Sequence, residues 1–313
     1  MSDTKNILLL GGFGFLGTNI LKYIDSHFVD QYQCIVFDKY SIHPQGVEFN
    51  CITKVYAGDF SDSQLIEKIF VENTIDIVIH SLSTTIPVES QNARYDVESN
   101  LLPTLDVLNC MLKYNVKNIV YISSGGAVYG NNPHKHTEND NVSPISSYGV
   151  VKLAIEKYIL QYSQLFGIRS LILRLSNPYG SYHYNNRQGL INVAIRKSLQ
   201  NEILQVWGDG NTKKDYIYIG DFVQILFNLL LYGLYCGVIN IGSGTTTSIN
   251  DIVKNIKRCG LNLDVEYTAT KQLDVTDFEL DITKLHSLIG EFQFTKLKDG
   301  INKTIAWSKS ICD

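Results

Sequence analysis

The stretch Gly11-Gly12-Phe13-Gly14-Phe15-Leu16-Gly17 narrows the possible folds of this chain more than any other segment. It follows an apolar run at residues 6–10 and opens an amphipathic stretch at 14–26. Glycine at 11 and 14 lets a backbone turn tightly and come close to a pyrophosphate, and glycine at 17 lets a helix pack close to a sheet. The helix amino terminus then turns free N–H groups toward an anion, so Phe15 and Leu16 belong to the same candidate site. A strand–loop–helix context of this kind predicts a dinucleotide site. The next apolar run, CIVFDKY, ends at Asp38, which lies 38 − 17 = 21 positions beyond the last glycine. A carboxylate there accepts from ribose hydroxyls and repels a 2′-phosphate, which favours NAD over NADP. Lys39 is the cation that could hold such a phosphate and keeps NADP as the lesser alternative.

The rest of the chain continues the alternation. Strands are expected at residues 6–10, 33–37, 53–57, 75–80, 119–123 and 170–175, and helices at 14–26, 63–72, 97–114 and 147–166. Apolar runs of four to six residues between helical stretches imply a parallel sheet covered on both faces. The expected fold is α/β, a Rossmann-type doubly wound parallel sheet with a smaller, partly interleaved C-terminal substrate domain. Residues 1–177 with parts of 215–245 form the NAD-binding domain in this reading, and 178–214 with 246–313 form the substrate domain. Further pieces are a helix at 190–199, a helix beginning near Asp221, and short strands at 204–207 and 238–241.

Of the 313 residues, 44% are hydrophobic, enough for a sizeable core. The net charge of −4 carries no basic face, so no nucleic-acid partner is expected. The apolar stretch at 223–238 is broken by Gln224, Asn228, Gly233 and Gly237 and reads as a buried helix, not a membrane span. No basic region leads into a long apolar segment at the amino terminus, and a cytoplasmic location is expected. The six cysteines contain no CxxC, which suggests free thiols and no metal site.

The segment YISSGGAVYG, residues 121–130, starts as a buried strand, ends on Ser123 and Ser124, and then loses its side chains at Gly125 and Gly126. Tyr148 and Lys152 follow at helical spacing, i and i+4, on one helix face. A phenol has a pKa near 10 in water. A neighbouring ammonium and a cationic nicotinamide ring would favour the phenolate and give Tyr148 a proton-transfer role. Gly58-Asp59-Phe60 after the third strand places an acidic side chain where it could meet an adenine amino group.

GGFGFLG, Asp38, Gly58-Asp59-Phe60, the strand end Ile79-His80-Ser81-Leu82-Ser83, SSGGAVYG and YGVVK together resemble the extended short-chain dehydrogenase/reductases. Within them the chain is most similar to the NAD-dependent nucleotide-sugar epimerase/dehydratase group, of the UDP-glucose 4-epimerase-like kind. Later segments fit as well: Arg174, Asn177 and Gly180 resemble RxxNxYG, Asp215-Tyr216-Ile217-Tyr218 resembles RDYIYVxD, and Lys271 with Asp274 resembles RxxDV. The resemblance implies cofactor contacts from Phe60, Ser81, Leu82, Ser83, Asn100 and Ser123, beside the loop, Asp38, Asp59, Tyr148 and Lys152. It implies a nucleotide-diphosphate sugar held by Ser124, Gly125, Tyr148, Asn177, Arg187, Gly189, Leu190, Lys214, Lys271 and Asp274. Lys214 and Lys271 stand where relatives usually carry arginines, a point charge in place of a bidentate fork. His183 lies in a polar loop and stays outside the catalytic set.

Relatives carry a serine or threonine at the position of Gly125, and 4,6-dehydratases read Thr-Asp-Glu across positions 125–127. Here those positions are Gly125, Gly126 and Ala127, which neither donate nor abstract protons. Tyr148, supported by Lys152, remains the proton carrier, with Ser124 or a water left to steady the sugar 4-oxygen. The glycines equally suit a purely steric need for room. The expected activity is NAD-dependent nucleotide-sugar epimerisation, at C4, for surface polysaccharide precursors. The alternatives are an NAD(P)H-dependent 4-keto-6-deoxy sugar reductase and a non-catalytic dinucleotide-binding protein. A homodimer is implied, paired through the helices at 97–114 and 147–166. Leu101, Leu105, Leu108, Leu112, Ile155, Ile159 and Tyr162 could form its seam or could face the sheet.

Overall fold

The computed structural model describes residues 4–86, 92–131, 134–269 and 277–311. The strands are β1 (Lys5–Leu10), β2 (Tyr32–Asp38), β3 (Ile52–Ala57), β4 (Ile77–His80), β5 (Asn118–Ser124), β6 (Lys135–His136), β7 (Arg169–Leu175), β8 (Asn177–Tyr179), β9 (Leu204–Trp207), β10 (Lys213–Tyr218), β11 (Gly237–Ile241), β12 (Thr246–Ser248), β13 (Val265–Thr268) and β14 (Glu279–Leu280). The helices are α1 (Phe15–His27), α2 (Ser63–Glu72), α3 (Ala93–Asp96), α4 (Leu102–Lys113), α5 (Gly125–Tyr129), α6 (Ser147–Phe166), α7 (Leu190–Leu199), α8 (Ile219–Leu231), α9 (Ile249–Arg258), α10 (Thr283–Ile289) and α11 (Leu297–Ser310).

Seven strands form one sheet in the order β11-β7-β5-β4-β1-β2-β3. All of its pairings are parallel, with Leu9 of β1 in register with Val36 on one side and Ile79 on the other. Alternation along each strand divides the side chains between two cores. Ile7 and Leu9 of β1 join Val36, Ile79 and Val120 on one face. Leu8 and Leu10 join Ile35, Val78 and Ile119 on the other. Both faces are covered by helices, so the strands read as unbroken apolar runs. The doubly wound parallel sheet expected from the sequence is the fold observed. A third core, which includes Ile195, Leu204, Val206, Ile252 and Ile301, lies among α7, β9, α9 and α11.

The helix expected at 97–114 is divided. Residues Val97–Leu101 form a π-helical turn, and the Leu102 N–H reaches back to the Val97 carbonyl before α4 continues. Pro103 gives the reason: it has no N–H to donate, and its ring clashes with a regular preceding turn. Such wide turns occur often at functional sites, and this one carries Ser99 and Asn100. Residues 223–238 hold the end of α8, the following turn and the start of β11. Among the described residues no helix is long and apolar enough to cross a membrane. Leu108, Ile155 and Ile159 are fully buried in the sheet-side core, while Leu101, Leu105, Leu112 and Tyr162 pack against it from partly buried positions. The exposed apolar residues of α4 and α6 are instead Leu102, Val150, Tyr158, Leu165 and Phe166.

Candidate active site

The strand order reverses between β1 and β4, and a cleft of about 1660 Å³ opens above their carboxyl ends. This is where open α/β sheets bind ligands. The cleft runs from the glycine loop past Tyr148 to Lys214 and Phe278.

At one end Gly11 adopts φ +80°, a left-handed conformation suited to glycine, and a Cβ there would lie 2.9 Å from Leu82 Cα. A Cβ on Gly17 would overlap the backbone of Gly11 and Gly12. Gly14 caps α1 without a side-chain hydrogen bond, and the first turn holds no acidic residue. Gly14, Phe15, Leu16 and Gly17 line the cleft, so the first turn of α1 presents backbone N–H groups suited to a diphosphate. Asp38 is buried at the end of β2, where its Oδ2 accepts from Phe13 N at 2.9 Å. Burial raises its pKa, and the N–H groups of Phe13 and Tyr40 oppose the shift. Its carboxylate still lines the cleft, beside Lys39, whose ammonium lies 4.8 Å from the Tyr40 ring centre. The uncapped helix, the side-chain-free cradle and the strand-end carboxylate fit a dinucleotide.

Asp59 stands on the exposed rim and accepts from Ser61 N and Oγ at 2.8 and 2.7 Å, which lowers its pKa. Phe60 is buried against Phe37 and His80. Ser81 Oγ donates to the Leu10 carbonyl at 2.8 Å, and Ser83 Oγ donates to that of Thr85 at 2.9 Å. Asn100 is turned toward the loop after β4. Its Oδ1 accepts from Thr84 N at 2.9 Å, and its Nδ2 donates to Thr84 Oγ1 at 2.7 Å. Asn100 thus builds the cleft wall through Thr84, because the π-helical turn aims its amide at that loop.

Tyr148 and Lys152 meet in the cleft as their spacing predicts. Tyr148 shares the cleft with Ser124 and Ser83, and hydrogen bonding by these two serines lowers its pKa. The Lys152 ammonium donates to the Ile122 carbonyl at 3.1 Å and lies 5.7 Å from the Tyr148 ring centre. Burial pushes the phenol up to about 12, even against those two serine hydrogen bonds. Burial also brings Lys152 down to about 8, with the Glu156 carboxylate pulling the other way. Of the two charges expected to favour the phenolate, the ammonium does not suffice: desolvation outweighs the protein's own groups and keeps the phenol neutral. A positive nicotinamide would supply the missing charge.

Beneath this pair lies a buried polar network. Ser123 Oγ donates to Glu156 Oε1 at 2.5 Å, and Arg174 Nη2 donates to Glu156 Oε2 at 2.8 Å. Arg174 Nη1 donates to the Tyr129 hydroxyl at 2.9 Å, which donates to Asn240 Oδ1 at 2.8 Å. Ser123 reaches the cleft edge while its hydroxyl serves this network. Tyr148, Lys152 and Glu156 stand at i, i+4 and i+8, a spacing visible in the sequence that would have pointed to Glu156.

Gly125 is directed at the chain leading into β14. A Cβ added there would lie 2.9 Å from Phe278 Cζ and 3.2 Å from Leu280 Cδ2. The steric reading of the glycine is the one that the geometry favours, although the crowding neighbour is a protein ring. Phe278 itself lines the cleft, and nothing local in the sequence places it there. Gly125→Ser is expected to lower stability by about 1–3 kcal/mol through overpacking. In a Phe278→Ala background the same change should be nearly free, as read by urea unfolding of the four proteins in the cycle. An equal loss in both backgrounds would show that the ring is not the obstacle.

At the substrate end, Asn177, Gly189 and Lys214 line the cleft, with Trp207 and His183. Asn177 Nδ2 donates to the Asp215 carbonyl at 2.8 Å. Burial raises Asp215 to about 6, opposed by hydrogen bonds from Ser243 and Gly244. Gly189 has φ +85°, and a Cβ there would lie 2.7 Å from His183 Nε2. His183 is buried and packs edge-on against Phe15 at 4.7 Å. Burial and Arg196 lower it to about 4, so it enters the site as a neutral ring. Leu190 is partly buried and packs against the third core. Arg187 sits on the exposed loop beside Gly189. Lys271 and Asp274 lie outside the described residues.

A reversed-order parallel sheet with a glycine-cradled cleft and a tyrosine–lysine pair defines a dinucleotide-dependent enzyme class. Residues 7–242 match the NAD dependent epimerase/dehydratase family, and the chain belongs to that family. NAD is the family's cofactor. The chain is 34% identical over 314 residues to a putative UDP-glucose 4-epimerase of Methanocaldococcus jannaschii, covering 97% of this chain and 98% of the relative. It is 27% identical over 310 residues to a dTDP-4-dehydro-6-deoxyglucose reductase of Escherichia coli, covering 97% and 98%. Among solved structures it is similar to a UDP-glucose 4-epimerase of Thermotoga maritima with UDP-glucose. The TM-score is 0.89 at 27% identity, over 98% of this chain and 100% of that one.

Proposed function

We propose that the protein is an NAD-dependent epimerase of nucleotide-diphosphate sugars, inverting C4 through a transient 4-keto sugar. The observation that carries this reading is Tyr148 in the cleft with Ser124 and Ser83, beside the buried Lys152 ammonium. Tyr148 takes the proton of the sugar 4-hydroxyl and later returns it. Ser124, at the end of β5, steadies the 4-oxygen that Gly125 cannot reach. Lys152, fixed to the Ile122 carbonyl, stands where it can hold a ribose and keep positive charge near the phenol. NAD, when bound, supplies the hydride acceptor and donor. Gly14–Gly17, Asp38 and the loop after β4 hold its diphosphate, adenosine ribose and flanks. Lys214 faces the substrate diphosphate, and Asn177 lies between it and the sugar. Gly126 and Ala127 line the cleft where a dehydrating enzyme needs an acid and a base, which supports chemistry confined to one carbinol carbon.

The similarity to the E. coli reductase favours one rival, a single hydride delivery to a 4-keto sugar. The test uses the protein as purified, with a panel of uridine- and thymidine-diphosphate sugars and no added cofactor. The expected result is conversion of a sugar into its C4 epimer, with no net change in reduced nicotinamide. Stoichiometric consumption of NADH or NADPH with a 4-keto sugar, and no epimer without it, would reject the epimerase.

A further inference from the structure

Away from the cleft, residues 134–140 bring two imidazoles and a carboxylate together. His134 immediately precedes the short strand β6 and His136 ends it, and their ring centres lie 4.3 Å apart. A turn closed by the Asp140 N–H on the Thr137 carbonyl then folds the Asp140 carboxylate back onto them. His134 Nε2 lies 2.8 Å from Asp140 Oδ2, and His136 Nδ1 lies 3.6 Å from the same oxygen. One donor atom from each of the three lies within 4.8 Å of the others.

Zinc–nitrogen and zinc–oxygen bonds near 2.0–2.2 Å in a tetrahedron place donor atoms roughly 3.4 Å apart. The His136 distance already fits. The His134 distance must open by under an ångström, and His134 is partly exposed and can move. The other two donors are held from behind. The His136 ring is fully buried and stacks on Tyr129 at 4.5 Å and 10°, and its carbonyl accepts from Asn240 Nδ2 at 2.9 Å. Asp140 Oδ1 accepts from Thr137 Oγ1 at 2.7 Å, and Oδ2 accepts from Thr137 N at 3.2 Å. Outer partners of this kind orient metal ligands.

We propose that His134, His136 and Asp140 bind one divalent transition-metal ion of the zinc class, with water completing the coordination. Two imidazoles and one carboxylate suit that class, whereas calcium and magnesium prefer oxygen donors. The sequence expectation of no metal site rested on cysteine spacing; the donors here are histidines, in the pattern His-x-His-x3-Asp. The site also has a structural consequence. β6 pairs with β14, and the His136 ring lies 5.9 Å from Phe278, the residue that crowds Gly125 in the cleft. Metal would brace the strand pair that adjoins this ring, at a distance from the reacting atoms.

The test titrates untagged, chelator-treated protein with zinc and with cobalt(II), for wild type, His134→Ala and Asp140→Asn. Wild type should bind one equivalent, show cobalt d–d bands of a site with nitrogen donors, and gain thermal stability with zinc. Both variants should bind at least about tenfold more weakly and lose the thermal shift, while keeping the wild-type circular dichroism spectrum. Wild-type affinity in either folded variant, less than one equivalent in wild type, or no thermal shift overturns the proposal and leaves the cluster a hydrogen-bonded His–Asp pair. Should a variant lose its fold, His134→Gln, which removes the imidazole from a partly exposed position, decides by the same readings.

Discussion

Tyr148→Phe is expected to lower turnover of the sugar nucleotide by about 10²- to 10⁴-fold, the usual worth of a positioned general acid or base. The change removes one oxygen and keeps the ring, so NAD binding should stay within a few-fold of wild type. The loss should fall on kcat, because the proton is transferred only as the sugar reacts. The same oxygen can be followed directly. Burial holds the phenol up at about 12. A cationic nicotinamide favours the phenolate, so phenolate absorbance should develop at lower pH in NAD⁺-loaded than in NADH-loaded protein. Tyr148→Phe should erase that difference. As pH rises through about 8, Lys152 loses its proton and with it the positive charge beside the phenol. In the free enzyme kcat/KM should therefore fall on the alkaline side. Turnover of Tyr148→Phe within tenfold of wild type would remove the phenol from the reaction.

Glu156→Gln is expected to destabilise the fold by about 3–5 kcal/mol. Glu156 and Arg174 are 1% and 4% exposed, and their pairing is bidentate in character, with Nε and Nη2 of Arg174 both on the carboxylate. Removing the negative charge leaves a guanidinium in the interior with only the Tyr129 hydroxyl and an amide to meet it. Replacing both members with apolar residues, as in Glu156→Leu with Arg174→Met, should cost less than the single change, because no charge is left uncompensated. Urea midpoints of the two variants decide. A Glu156→Gln protein within about 1 kcal/mol of wild type would mean that water reaches the pair. The network also sets Ser123 and the base of α6, so the single variant should lose kcat more than substrate affinity.

The candidate site was legible where function depends on neighbours along the chain. The glycine loop, Asp38 and the Tyr148–Lys152 spacing are local, and each is brought into the cleft by a strand end or a helix face. Asn100 was visible as a residue near the cofactor, yet the π-helical turn before Pro103 aims it at Thr84. Leu190 was grouped with the substrate contacts, and in the fold it opens α7 and packs, partly buried, against the third core. Glu156 could have been found one turn beyond Lys152. Phe278 could not, since it lies about 150 positions from Gly125 along the chain and is held there by its bridge to β10 and by the adjoining β6–β14 pairing.

Apolar runs of four to six residues, spaced by helices and punctuated by Gly11, Gly14 and Gly17, determined the parallel sheet and the dinucleotide cleft. They did so because strand burial on both faces and close backbone approach are demands on residue type at fixed positions. Tertiary structure decided what those residues are like chemically. Burial, not the nearby ammonium, sets the proton affinity of Tyr148. A ring from the far end of the chain explains Gly125, and a turn and a stacked tyrosine gather His134, His136 and Asp140. Desolvation and long-range packing depend on which segments meet in space, and that information is held by the folded chain and not by any short stretch of it.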